Sequence, residues 1–233
     1  MVIAATSLTS GGSTTDQAVY TTASVTPLAG QLTFVAVWCT HATVAEVPIV
    51  TGNGVTYTHV GTAATTPPFT TRMSVFASLT ANGAGAITLT FDTAHQGCMW
   101  AVDTYTGHDA RSLSYAIAHQ DALFTPSGTT TATYTYAPPP QPSSGFYGAG
   151  GLDAVGGAEV VTLGAGFTQL GRSGITGPIR SIISFWKPDT LTTVPLTWTT
   201  GSRLRSLLFL IRPALTTTQT HSTAPVLSRR RRR

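Results

Sequence analysis

The residues of this chain that can do acid, base or nucleophilic chemistry are few and badly spaced for it. There are two glutamates, Glu46 and Glu159, in opposite halves and in loop-like contexts. Glycoside hydrolysis needs two carboxyls opposed across a groove, one of them kept protonated, and no acidic residues recur at the spacing of two that would share a strand face. A serine nucleophile on a sharp elbow wants Gly-x-Ser-x-Gly; Gly171-Arg172-Ser173-Gly174 is one residue too short. Cys39 and His41 stand two apart on one strand, a spacing that reads as packing rather than as an activated thiolate. His95, His108, Asp109 and Asp103 would have to meet at a strand end to hold a metal, and their spacing matches no ligand set. His108-Asp109, directly after Gly107, reads instead as a turn cap. No catalytic residue, metal ligand or cofactor is predicted.

Binding chemistry leaves two candidates. Tyr134 and Tyr136, just before the run Ala137-Pro138-Pro139-Pro140-Gln141-Pro142, are either ordinary strand residues or exposed rings for stacking on a sugar or a partner. Arg229, Arg230, Arg231, Arg232 and Arg233 close the chain behind the low-complexity stretch 214–228. They read either as a solvated end or as a tether. Five guanidiniums on a flexible linker can reach tens of ångströms and grip an acidic protein surface or a nucleic-acid backbone. Cys39 and Cys98 both fall inside predicted strands. They are two reduced small hydrophobes, unless those strands are neighbours with Cα atoms about 6 Å apart, in which case a disulfide is open to them.

The elements that must position these residues are strands. Ile87, Leu89 and Phe91 alternate with Thr88, Thr90 and Asp92, so one face needs another sheet to cover it while the threonines are free to meet solvent or a partner. Cys98 to Tyr105 and Leu32 to Trp38 are apolar on both faces, as central strands are. Further strands are predicted at 2–6, 17–25, 55–60, 71–79, 114–119, 130–136, 146–150, 167–170, 178–187, 194–199 and 204–212, with Asn82-Gly83-Ala84-Gly85 closing a hairpin into Ala86. Arg203 and Arg205 point to one face and Leu204 to the other. No window carries a helical apolar stripe. The expected fold is all-β: an antiparallel two-sheet sandwich of jelly-roll type over residues 1–213, with a disordered C-terminal tail over 214–233.

Composition narrows the function further. Charged residues are 9% of the 233, against roughly 25% in ordinary soluble proteins, and threonine, the commonest residue, supplies an uncharged polar surface with strand preference. So little self-repulsion favours a homo-oligomer or a larger assembly. The formal charge of +4 belongs to the tail: without its five arginines the chain has 13 − 5 = 8 basic against 9 acidic residues. A nucleic-acid-binding body is therefore not expected, and nucleic acid remains a partner only through the tail. No stretch approaches 18 apolar residues and residues 1–10 lack the features of a signal peptide, so neither a membrane span nor Sec export is predicted.

The patterns Gln31-Leu32-Thr33-Phe34-Val35-Ala36-Val37, Gly54-Val55-Thr56-Tyr57-Thr58-His59-Val60, Arg72-Met73-Ser74-Val75-Phe76-Ala77, Ala86-Ile87-Thr88-Leu89-Thr90-Phe91 and Ala101-Val102-Asp103-Thr104-Tyr105-Thr106-Gly107-His108-Asp109 follow one another in this order. Together they resemble the concanavalin-like jelly-roll domains of structural proteins in tailed bacteriophages, over about residues 20 to 212 and most strongly up to Asp109. The resemblance implies a non-enzymatic virion component, assembled in the host cytoplasm: a decoration or cement protein on the head, contacting the major capsid or other virion proteins. The alternative it implies is a tail-associated carbohydrate- or receptor-binding module with a surface glycan as partner. It carries over no catalytic residue. Sugar- or calcium-binding members use acidic loops, and this chain has no dense acidic loop.

Overall fold

The computed structural model describes residues 2–64, 70–135, 144–153, 161–188 and 193–215. The first nine strands are β1 (Ala4–Ser13), β2 (Gln17–Thr21), β3 (Leu32–Thr40), β4 (Ile49–Gly52), β5 (Val55–Thr56), β6 (Thr58–Ala64), β7 (Thr71–Ser78), β8 (Thr88–His95) and β9 (Gly97–Thr106). Their pairing is nested and antiparallel: β1 with β9, β2 with β8, β3 with β7, β4 with β5. This is one long folded ribbon, and rolling it brings β9 beside β3 and β8 beside β4. The product is a jelly roll, with a five-stranded sheet β1-β9-β3-β7-β6 facing a four-stranded sheet β2-β8-β4-β5. Its wrapping is complete by Thr106.

A second set of sheets covers the back of the roll. It comprises a one-turn helix, α1 (Leu113–Ala116), then β10 (Ile117–Phe124), β11 (Thr129–Thr135), β12 (Gly145–Asp153), β13 (Thr162–Leu163), β14 (Thr168–Thr176), β15 (Ile179–Lys187) and β16 (Thr193–Ile211). The sheet runs β10-β16-β12-β15-β14, while β11 and β13 pair with the first half of β16. The 19-residue β16 thus serves two layers, where the sequence pattern predicts two strands. Its break at Gly201-Ser202 interrupts the apolar alternation without ending the strand.

Three apolar interiors result. Tyr20, Val35, Val37, Leu89, Phe91 and Trp100 fill the space inside the roll. On the other face of the same central strands, Phe34, Trp38, Met99, Tyr105, Tyr147 and Phe209 form the joint to the second sheet. There Phe34 and Tyr147 stack with ring centroids 4.2 Å apart. Tyr134, Leu196 and Trp198 close a third interior over Phe146, Ile183 and Phe185. Every residue of β3 is buried, which is why it reads as apolar on both faces. The joint is tight enough that a Cβ on Gly151 would stand 2.3 Å from the Trp38 ring, so only glycine fits that position.

The all-β antiparallel sandwich is present, with more layers than one pair of sheets. Two local expectations differ. Residues 82–85 do not close a hairpin, because β7 and β8 belong to facing sheets and the chain crosses between them. The stretch 114–119, read as a strand, begins as helix α1 and becomes β10 only at Ile117.

Candidate functional site

The outward face of the four-stranded sheet is the surface that the sequence leaves without a cover. In β8, Leu89 and Phe91 are buried inside the roll while Thr90 and Asp92 are exposed and Thr88 is half-buried, as the period of two dictates. Register then aligns residues from strands far apart in sequence. Thr21, Thr88, Thr51 and Thr56 form one cross-strand row, and Val19, Thr90 and Ile49 form the next. Neighbouring strands lie about 4.8 Å apart, so each row is a continuous strip of hydroxyls and methyls. These seven positions carry no charge. Val19 is 48% and Ile49 60% exposed, and Val47 two residues before Ile49 is exposed as well. The threonine alternation of β8 signals such a face, but its continuation across β2, β4 and β5 is set by long-range register.

One end of this face is held by a polar knot. Glu46 accepts the backbone N–H groups of Asp92 and Thr93 on Oε2 and the Thr93 hydroxyl on Oε1, the last at 2.7 Å. Burial works to raise its pKa, but the Thr93 hydroxyl and the two amides outweigh that and hold the carboxyl below its ordinary value. His95 is fully buried. Its Nε2 accepts the Glu46 N–H at 3.0 Å and its Nδ1 lies 3.0 Å from the Thr93 carbonyl, which requires the neutral ring with the proton on Nδ1. Burial lowers its pKa. The Tyr20 hydroxyl donates to the His95 carbonyl and to that of Thr15. These groups brace one another and leave no carboxylate opposed to a second one.

Of the other chemistry-capable residues, Cys39 and His41 border this knot and the rest are dispersed. Cys39 is fully buried, its Sγ directed at the carbonyls of Glu46 and Arg72, and burial pushes its thiol up to about 12, the opposite of what a nucleophile needs. His41 uses Nδ1 to accept the N–H groups of Thr43 and Val44, while its Nε2 lies 3.4 Å from the Thr93 hydroxyl and its ring 5.0 Å from that of His95. Among the described residues no three His, Cys, Asp or Glu side chains come together as metal ligands. Asp109 accepts the Arg111 N–H and pairs with its guanidinium at 2.7 Å, closing the turn after Gly107. That partner holds the Asp109 carboxyl down to about 2. His108 is buried beside an open hollow lined by Asp109, Arg111 and Leu215, and neither ring nitrogen makes a hydrogen bond of good geometry.

Tyr134, a candidate for stacking on a sugar or partner, is 1% exposed; its ring is in the third interior and its hydroxyl hydrogen-bonds the Ser206 hydroxyl. It offers no face to a ligand, because the odd residues of β11 point outward and Tyr134 is even. Tyr136 and Arg229, Arg230, Arg231, Arg232 and Arg233 lie outside the described residues, as does Glu159. Arg203 and Arg205 do share a face: Arg205 is 1% exposed and reaches Asp153 at 3.0 Å, while Arg203 is exposed. Asp153 also takes the Arg180 guanidinium at 3.1 Å.

The most unusual group is Asp103, which the sequence offers only beside His95, His108 and Asp109 as a residue that would have to meet them to hold a metal. It points into the joint, is fully buried, and neither oxygen has a hydrogen bond of good geometry. Burial raises its pKa to about 7, moderated by the nearby hydroxyls of Ser184, Ser7 and Tyr147. The hydroxyls of Tyr105 and Tyr147 are likewise buried without a well-formed hydrogen bond. Nothing in its residue type marks Asp103 as buried; the signal is its place between Val102 and Tyr105 in an otherwise apolar strand.

Compared with protein-family models, with curated proteins and with solved structures, the chain matches none.

Proposed function

We propose that the protein is a non-enzymatic structural component of a tailed-bacteriophage particle, a decoration or cement protein present in many copies on the head, which holds its neighbours through the outward face of its four-stranded sheet. The observation that carries the reading is that face: seven aligned positions of Thr, Val and Ile with no charge. Threonine hydroxyls donate and accept equally, and β-branched methyls lose little entropy on burial, so such a strip can be covered without stranding a charge. The jelly-roll wrapping of residues 4–106 agrees with the resemblance, which is strongest over the same part of the chain. The knot around Glu46 and His95 braces the end of the face, a supporting role rather than a reactive one.

Mass spectrometry of gradient-purified particles from cells making the protein tests the reading. A fixed copy number relative to the major capsid protein supports it, and absence from the particles overturns it. Replacing Ile49 and Thr90 together by lysine is expected to leave the chain folded and to remove it from the particle. Removing residues 214–233 with unchanged incorporation would take the arginine run out of the contact.

A further inference from the structure

Cys39 and Cys98 are the two cysteines of the chain, and the register of β3 against β9 sets them directly opposite each other. Residues paired in this way on antiparallel strands project their side chains to the same side of the sheet, with Cβ atoms about 4.5–5.5 Å apart. Both belong to the interior of the roll, and both are thiols. Disulfides span Cα separations of about 4.4–6.8 Å, which covers the roughly 4.5–5.5 Å of directly opposed residues, and the Cβ atoms must draw together by up to about 1 Å to reach the roughly 3.5–4.5 Å that the bond needs. The condition that the sequence leaves open, that the two strands be neighbours, is met at the very residues concerned.

We propose that Cys39 and Cys98 form a latent cross-strand disulfide, closed by oxidation when the four-stranded sheet lifts from the central one. The balance is simple: two thiols and one molecule of a small disulfide, such as oxidised glutathione, give the Cys39–Cys98 disulfide and two small thiols. One cysteine, as thiolate, attacks the small disulfide and releases the first small thiol. The second then attacks the mixed disulfide and releases the other.

The cover explains why the pair is held reduced in the closed fold. Both cysteines are buried. Tyr20 of β2 lies close enough to both for their charges to act on its own ionisation. Phe91 packs edge-on against Tyr20 with centroids 5.9 Å apart. Glu46 places its carbonyl 3.5 Å from Cys39 Sγ. Burial holds both thiols far above neutral pH, so almost no thiolate exists until β2 and β8 move away. A chain made in a reducing cytoplasm stays dithiol, and one that breathes in an oxidising medium becomes stapled. The proposal concerns the roll itself and stands apart from the reading of the outward face.

The test uses the full chain, purified under reductant and then incubated with oxidised glutathione. Intact mass and peptide mapping follow the product with time, with and without urea below the unfolding midpoint. The expected result is loss of two hydrogens and a crosslink joining the Cys39 and Cys98 peptides, formed at least tenfold faster in the urea sample. Phe91→Leu, which thins the cover, is expected to speed closure without denaturant. The stapled form should then unfold at higher urea than the reduced form. If both thiols remain alkylatable after repeated opening with the oxidant present, or if only glutathione adducts or crosslinks between chains appear, the proposal fails. Cys39→Ala supplies the negative control, since it fills the site with another small apolar side chain and cannot close the bridge.

Discussion

The outward face of the four-stranded sheet and the joint behind the central sheet are built from opposite materials. The two aligned rows of the face carry no charge, with Asp92 just beyond them on β8, and all seven of their residues are exposed or half-buried. The joint is mainly aromatic and aliphatic, yet it encloses a carboxyl and two tyrosine hydroxyls without well-formed hydrogen bonds. Burying the two rows costs little, because nothing in them must be neutralised. Keeping the joint closed costs a good deal, because a buried carboxyl with no facing cation strongly favours its neutral form. From the elements packed around Asp103, the groups presented to it are Ser7 of β1, Tyr105 of β9, Tyr147 of β12 and Ser184 of β15. The two regions thus differ in what it costs to keep each of them covered.

The largest effect should come from crowding the joint. Gly151→Ala sets a methyl against the Trp38 ring and is expected to cost about 3 kcal/mol or more, read as a collapse of the urea midpoint; an unchanged midpoint would mean that the joint is looser than its distances indicate.

Asp103→Asn comes next and has the opposite sign. The carboxyl titrates near its ordinary value of 3.8 in the unfolded chain and at about 7 in the fold. The fold therefore binds the extra proton between those values, and wild-type stability falls as pH rises from about 4 to about 7, then levels. Asparagine should remove that slope and stabilise the chain at pH 8; the rise from 3.8 to about 7 is worth about 4 kcal/mol, less the roughly 1–3 kcal/mol that a buried amide without partners costs. Urea midpoints at pH 5 and pH 8 for both proteins check this, and parallel slopes would refute it.

His95 titrates the other way. Its pKa is lowered in the fold, so its contribution is present above the unfolded value near 6.5 and is lost as pH falls below it. Protonation of Nε2 breaks its bond with the Glu46 N–H. Protection of the Glu46 and Thr93 amides, taken relative to their intrinsic exchange rates, should therefore fall as pH drops below about 6.5, with that of strands β12 and β15 unaffected.

The smallest effect on stability belongs to the face. Thr90→Lys should shift stability by no more than about 0.5 kcal/mol while, under the proposed function, reducing the copy number measured in purified particles. Destabilisation as large as that of Gly151→Ala would erase the distinction between the two regions.

Much of the inner architecture is legible in the sequence. The both-sided apolarity of Leu32 to Trp38 and of Cys98 to Tyr105 marks the two central strands, and the alternation of Ile87, Leu89 and Phe91 with threonines marks a sheet open on one side. These are local periodicities, and local periodicity is what a sequence displays. Register between distant strands is not. The row through Thr21, Thr88, Thr51 and Thr56, the opposition of Cys39 to Cys98 and the end of the roll at Thr106 all depend on which strands pair. Tyr134 shows the same limit from the other side: its alternation with threonines is visible, but which set faces inward is decided by β16 and the sheet beyond it.

The long strand β16 has a mechanical consequence. It lies in the interior of its sheet, between β10 and β12, and the residues just after it are pinned by Asp109 N–H to the Arg212 carbonyl, Arg212 N–H to that of Ala116 and Ala214 N–H to that of Gly107. Any pull delivered beyond Leu215 enters the molecule along this strand and is shared by ladders on both of its sides. A load applied there must shear many bonds together instead of peeling an edge one bond at a time, so this end of the chain is the natural place to hang a tether.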